Sequence, residues 1–133
     1  MRLLLDTQIV HMLAGRPSRL SMAERRALGD SSNSFAVSAV SLWELRVKWQ
    51  LSNRSGTRKG KIDPAAAIDV LDRLAFSYER LPLTFDHCIA SLDHPLSHSD
   101  PFDRLLLTQA QVEGMHLLTR DGLLEHHPLA LYA

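Results

Sequence analysis

The sequence predicts an α/β domain, a three-layer α/β/α sandwich around a mainly parallel central sheet, and three observations carry that expectation. Short continuous apolar runs such as Leu3-Leu4-Leu5 have the pattern of strands buried on both faces. These runs alternate with stretches whose apolar residues recur at helical spacing. No hairpin turn signal joins one run to the next, so the strands call for crossover connections.

Taken in order, Leu3-Leu4-Leu5 is a strand ended by Asp6. A helix from Thr7 to Ala14 follows, with Ile9, Val10 and Leu13 on one side and Gly15-Arg16-Pro17 as its stop. A second short helix is expected from Ser21 to Leu28. Phe35-Ala36-Val37 is the next strand, after which Ser41 to Leu51 sets Leu42, Leu45 and Trp49 on one face of a helix. Ser52 to Lys61, with Gly56 and Gly60, breaks the periodicity and reads as a loop. Asp63-Pro64 opens a helix whose stripe is Ala65, Ile68, Leu71 and Leu74 or Ala75. Phe76 to Leu81 is a further, weaker strand, and Pro82-Leu83-Thr84 leads into a helix through Leu92. Asp100-Pro101 opens a helix carrying Phe102, Leu105, Leu106, Ala110 and Val112 inward, with Gly114 as its end. Met115 to Thr119 is a strand, followed by a helical turn after Asp121 and the apolar Leu129-Ala130-Leu131-Tyr132.

With 133 residues and 45% hydrophobic content, one domain over 1–133 is expected, without an interdomain linker or repeat. Cys88 is the single cysteine, so no internal disulfide forms, and its setting reads as a buried helix position in a protein of the reducing cytoplasm. No run reaches the roughly 20 apolar residues of a membrane span, and Met1 to Asp6 is too short for a signal peptide. Lys plus Arg and Asp plus Glu both number 15, so net charge points to no polyanionic partner.

Four acids stand where strands give way to helices: Asp6, Glu44, Asp103 and Asp121. Each has an ordinary reading as a helix cap, and Ser41-Leu42-Trp43-Glu44 matches the Ser-x-x-Glu capping box. Asp100 and Asp103 fit a cap and a third helical position equally well. In an open α/β sheet, however, strand-to-helix junctions collect at the carboxyl ends of the strands, where ligands bind. Four carboxylates gathered there repel one another, and a cation relieves the repulsion. Oxygen ligands without a His or Cys cluster suit a hard ion, Mg²⁺ or Mn²⁺, which keeps waters and accepts substrate phosphates.

Five segments then carry a resemblance: Leu3-Leu4-Leu5-Asp6-Thr7; Ser38-Ala39-Val40-Ser41-Leu42-Trp43-Glu44-Leu45; Leu81-Pro82-Leu83-Thr84; Asp100-Pro101-Phe102-Asp103-Arg104-Leu105-Leu106-Leu107; and Leu117-Leu118-Thr119-Arg120-Asp121. In this order, over nearly the whole chain, they resemble the PIN-domain ribonucleases and, among them, the VapC-type toxins of toxin–antitoxin pairs. The resemblance implies a PIN-like fold and a Mg²⁺- or Mn²⁺-dependent endoribonuclease that hydrolyses RNA with a metal-activated water. It also implies a homodimer and a cognate VapB-type antitoxin. By it, Asp6, Glu44, Asp103 and Asp121 are the catalytic, metal-binding acids, with Asp100 assigned to the helix cap. Thr7, Ser41 and Thr119 are placed to orient carboxylates or waters, and equally to make simple capping and turn hydrogen bonds.

Arg54, Arg58, Lys59 and Lys61 form a basic run that reads either as a solvated loop or as a phosphate-steering arm. Arg104 and Arg120 are candidate RNA contacts, with pairing to nearby acids as the alternative. A zinc site is not expected: His126 and His127 are adjacent and point apart in most backbone states, and His87, His94 and His98 have no cysteine partners at ligand spacing. His94 and His98 flank the approach to Asp100. Trp43 and Val47 fall off the inward stripe and are expected on a partner or dimer surface.

Two other functions compete: a structure-specific DNA nuclease of the wider PIN group, and a non-catalytic binding module on the same fold. The first would want added helices for gripping DNA, and the second would want lost acids. A haloacid-dehalogenase phosphatase needs a second Asp two residues after Asp6, where Gln8 stands. A phosphoacceptor receiver needs a late Lys, and no Lys follows Lys61.

Overall fold

The computed structural model describes all residues except 55–57, 59, 98 and 99, and the side chains of residues 53 and 54 are likewise outside the description. Its centre is a five-stranded, all-parallel sheet. The strands are β1 (Arg2–Leu5), β2 (Ser34–Ser38), β3 (Glu79–Leu81), β4 (His116–Thr119) and β5 (Ala130–Tyr132). They lie in the order β3-β2-β1-β4-β5. The helices are α1 (Thr7–Gly15), α2 (Met22–Gly29), α3 (Ala39–Arg54), α4 (Pro64–Arg73), α5 (Phe85–Ile89) and α6 (Pro101–Glu113).

The apolar runs form strands because both of their faces are covered. Leu3, Leu5, Val37 and Leu118 point into one core with Ile9 and Val10 of α1, Leu45 of α3, and Ala67 and Leu71 of α4. Leu4, Ala36 and Leu117 point into the other, with Leu106, Leu107 and Ala110 of α6. Period-two alternation inside a continuous apolar run thus serves two helical layers. Helix α3 touches both cores, through Leu45 on one side and Val40 on the other.

The sheet order sets where ligands can bind. From β1 the chain moves outward to β2 and β3, then crosses back past β1 to β4 and β5, so the winding reverses between β1 and β4. The crevice beyond the carboxyl ends of those two strands is the switch point of the fold. Asp6 follows β1 there, and Thr119 and Asp121 end and follow β4.

Several boundaries differ from the sequence expectation. Helix α3 starts at Ala39 rather than Ser41, because the Ser38 hydroxyl accepts from the Val40 N–H at 2.9 Å. The third strand pairs only over Glu79–Leu81; before it, Phe76 packs on Phe35 and Tyr78 stacks on Phe76. The helix expected through Leu92 is the five-residue α5, and the turn after Asp121 is a 3-10 turn over Gly122–Leu124. In α4 the inward stripe is Pro64, Ala67 and Leu71, whereas Ala65 and Leu74 are exposed. Val112 is also exposed. Cys88 is exposed, not buried, because α5 turns His87 inward and leaves Cys88 on the solvent side. The ends of α6 follow expectation: Asp100 accepts from the N–H groups of Phe102 and Asp103, and Gly114 closes the helix with φ 68. That left-handed conformation favours glycine.

Candidate active site at the carboxyl edge of the sheet

Asp6 sits where β1 ends, buried to 4% exposure. Its Oδ2 accepts from the Thr119 hydroxyl at 2.6 Å and its Oδ1 from the Thr7 N–H at 2.7 Å, so the two central strands hold one carboxylate between them. Thr119 also accepts from the Asp121 N–H at 3.0 Å, and Asp121 itself caps the following turn by accepting from the Leu123 N–H.

Glu44 enters from the other side. Because α3 begins at Ala39, Ser41 and Glu44 lie inside the helix and the sequence's Ser-x-x-Glu is not a capping box here. The Thr7 hydroxyl donates to Glu44 Oε1 at 2.7 Å and lies 3.2 Å from Ser41 Oγ, so α1 and α3 are joined over the site. The second oxygen of Glu44 accepts from Lys48 Nζ at 2.6 Å, one helical turn on. Sequence reading missed Lys48; the Glu-to-Lys spacing of four was its signal.

Asp103, on the first turn of α6, is buried to 8% exposure. Its carboxyl is pushed up to about 7, first by burial and then by the charges of Asp6, Asp100, Asp121 and Glu44. Asp6 is raised too, by burial and by Glu44 and Asp121, against the hydrogen bonds from Thr119 and Thr7. The four predicted acids, with Asp100 beside them, therefore share one electrostatic field. Among the described residues, no group of three or more acids, His or Cys is drawn tightly enough to hold an ion alone.

The other predicted residues are placed as follows. Asp100 caps α6, as expected. Arg104 is exposed and makes no ion pair among the described residues. Arg120 is committed elsewhere: it donates to both oxygens of Glu24 at 2.8 and 2.5 Å and to the Arg19 carbonyl. Of the two readings left open for it, pairing to an acid is the one found. Arg58 lies with its guanidinium 3.9 Å from the centre of the Trp49 ring, while Lys59 and His98 lie outside the described residues. Trp43 is 60% exposed on the outer side of α3, and Val47 is half-buried. Glu24, which the sequence reading also passed over, is 1% exposed and carries a genuine capping box with Ser21. A groove of about 720 Å³ lined by Phe35, Phe76 and Tyr78 lies away from this site and includes none of the four acids.

A parallel sheet with acids converging on its switch point is the site of an α/β protein of the PIN class, and the chain belongs to the PIN domain family, which it matches over residues 3–128. It is similar to Ribonuclease VapC22 of Mycobacterium tuberculosis (strain ATCC 25618 / H37Rv), 29% identical over 126 residues that cover 93% of this chain and 90% of that protein. Its fold is similar to that in the crystal structure of VapBC2 from Rickettsia felis bound to a DNA fragment from their promoter. There the TM-score is 0.62 at 15% identity, covering 100% of this chain and 98% of the other.

Proposed function

We propose that this chain, read as one PIN domain over 1–133, is a metal-dependent endoribonuclease acting in the cytoplasm as the toxin of a toxin–antitoxin pair. The observation that carries the reading is the Asp103 carboxyl, held near 7 by burial first and then by four other acids at one sheet edge, an arrangement that costs stability unless a cation shares it. The similarity to a protein named as a ribonuclease and to the toxin–antitoxin complex supports the biological role.

Asp6, Asp103, Glu44 and Asp121 are the groups that would hold Mg²⁺ or Mn²⁺. When bound, such an ion supplies a water of lowered pKa and charge stabilisation for a phosphodiester. The chain's own work is positioning. Thr119 and the Thr7 N–H fix both oxygens of Asp6, and Thr7 with Lys48 fixes both oxygens of Glu44. Asp100 holds the first turn of α6 so that Asp103 faces the acids. Arg104 is the exposed cation next to a candidate ligand and is assigned to an RNA phosphate. A VapB-type antitoxin and a second copy of the chain are the proposed partners, with exposed Trp43 on the partner-facing side of α3.

The test is cleavage of single-stranded RNA by antitoxin-free protein with Mg²⁺ or Mn²⁺. Activity should stop with a chelator and with Asp103→Asn; equal cleavage by that variant would remove the acids from the reaction. Trp43→Ala should weaken self-association or antitoxin binding, and an unchanged value for both refutes the partner surface.

A further inference from the structure

The acids leave unexplained a group of cations on the flank below them. Helices α1 and α3 both follow strands at the carboxyl edge of the sheet, and their side chains meet there. Thr7 meets Glu44. One turn further along each helix stand His11 and Lys48, and α1 then ends at Arg16, its C-cap. The segment after the basic loop folds back onto this end. Arg16 lies against Gly60, its guanidinium 3.6 Å from where a Cβ would stand there, and Ile62 and His11 pack over Gly15. Lys61 is thereby brought beside the same helix end. Three segments distant in sequence thus bring His11 with Arg16, Lys48 and Lys61 to one place.

The residues sense each other. His11 is shifted below its ordinary value by burial first and then by the charges of Arg16, Lys61 and Lys48. In a chain whose formal charges balance, this concentration of positive charge is local. Among the described residues, neither Arg16 nor Lys61 forms an ion pair with a carboxylate. Their charge is therefore available to an external anion. Lys48 links this flank to the acids, since its ammonium already bonds Glu44.

We propose that Arg16, Lys61 and Lys48, with the His11 imidazole as a hydrogen-bonding group between them, form a phosphate-binding subsite. It seats the RNA backbone along the α1/α3 flank, beside the scissile bond. At about 1.5 Å per residue, His11 lies about 6 Å and Arg16 about 13 Å along the axis from Thr7, so the flank carries a strand away from the acids in one direction. Phosphate contacts of this kind fix register and add affinity without reading sequence. This inference rests on the ribonuclease reading for its substrate, and an acidic peptide segment of a partner is the rival occupant.

The experiment uses the full chain in an Asp103→Asn background with Mg²⁺, so that RNA is bound but not consumed. A short fluorescein-labelled single-stranded RNA is titrated at several salt concentrations, with and without Arg16→Gln plus Lys61→Gln. Removing two phosphate contacts should weaken binding about tenfold and reduce the slope of log K against log salt by about 1.4, at about 0.7 per contact. In the cleavage-competent chain, the same pair should raise KM and leave kcat within about twofold. Unchanged affinity and slope overturn the subsite, and so does a loss of antitoxin binding alone. If RNA binds through Arg16 and Lys61 but is never cleaved with either metal, the nuclease reading falls and the subsite stands. If cleavage proceeds and the pair alters neither KM nor slope, the reverse holds. Lys61 is exposed and Arg16 partly exposed, and unchanged circular dichroism confirms folding of the variant.

Discussion

Glu24 and Asp103 are both carboxylates almost removed from water, at 1% and 8% exposure, yet they titrate in opposite directions. Burial pushes both up. For Glu24, hydrogen bonds from Arg120 and the Ser21 N–H, together with the Arg120 charge, outweigh burial and leave the carboxyl below its ordinary range. For Asp103, the neighbours are Asp6, Asp100, Asp121 and Glu44, and each adds to the effect of burial. A buried acid matched to a guanidinium holds the fold together; a buried acid facing other acids is a site in want of a cation. The two are also mechanically connected, because Arg120 stands between Thr119 and Asp121. The Glu24 pair thereby ties α2 to the loop that presents the site's fourth acid.

The comparison breaks most sharply at Asp103. Asp103→Asn should lower RNA cleavage by about 10³-fold, or about 4 kcal/mol in transition-state stabilisation. It should at the same time raise the melting temperature of metal-free protein at neutral pH. The folded pKa near 7 lies above the unfolded value near 4, so between them the folded state binds the extra proton. Stability therefore falls as pH rises across that window in the wild type, and the substitution should remove that slope. Screening by the solvent-open side of the site limits the gain to about 1–2 kcal/mol, a few degrees by differential scanning fluorimetry. A variant that is both inactive and less stable would show that Asp103 is structural.

The opposite result is expected at Glu24. Glu24→Ala strands Arg120 in a largely buried position and should cost about 3 kcal/mol, read by urea denaturation. Here the folded pKa is depressed, so the contribution is present above the unfolded value of about 4.5 and is lost as pH falls through the folded one. The wild type should thus lose stability in acid more steeply than the variant. Cleavage by the variant should survive at temperatures where it is folded, though with weaker metal dependence if Asp121 has shifted.

These two acids also show what the sequence could and could not convey. Ser21-x-x-Glu24 and Ser41-x-x-Glu44 are the same motif, yet only the first is a capping box. The second lost its capping role because Ser38 starts the helix earlier, a tertiary matter in which its hydroxyl also donates to Gln109 of α6. The continuous apolar strands, the Asp-Pro openings of α4 and α6 and the Gly114 stop were legible because each is a local backbone requirement. So was the position of Asp6 and Asp121 just past strands; Asp103 stands instead on the first turn of α6, which follows α5 and not a strand. The partners were not: whether Arg120 faces RNA or Glu24, and whether the chain at Gly60 packs against Arg16, depends on contacts between residues far apart in the chain. The inward turn of His87 and the exposure of Cys88 escaped for the same reason, since a five-residue helix carries too little periodicity to declare its face.

Intermediate effects are expected where hydroxyls hold the acids in place. Thr7→Val removes the donor to Glu44 and leaves the backbone N–H that serves Asp6 intact. It should lower cleavage about 10-fold, the low end for partners that orient metal ligands. Thr119→Val removes the donor to Asp6 and the acceptor for the Asp121 N–H together and should cost more than Thr7→Val. Equal activity in both variants would mean that the carboxylates orient themselves.

The smallest effect separates a structural pair from a site pair most finely. Lys48–Glu44 is an i,i+4 ion pair with a half-exposed lysine, so Lys48→Met should change stability by less than about 0.5 kcal/mol, unlike the loss of Arg120's partner. Its consequence should instead appear in metal binding. Lys48 occupies one oxygen of Glu44, and a cation shared by the acids must compete with it. Removing the ammonium should lower the Mg²⁺ concentration for half-maximal thermal stabilisation about two- to threefold, measured in the Asp103-intact protein without RNA. RNA affinity should fall in the same variant, because the lysine is also part of the proposed phosphate flank. A metal requirement that rises instead would place Lys48 with Arg120, as a support of the fold, and leave Glu44 outside the cation's reach.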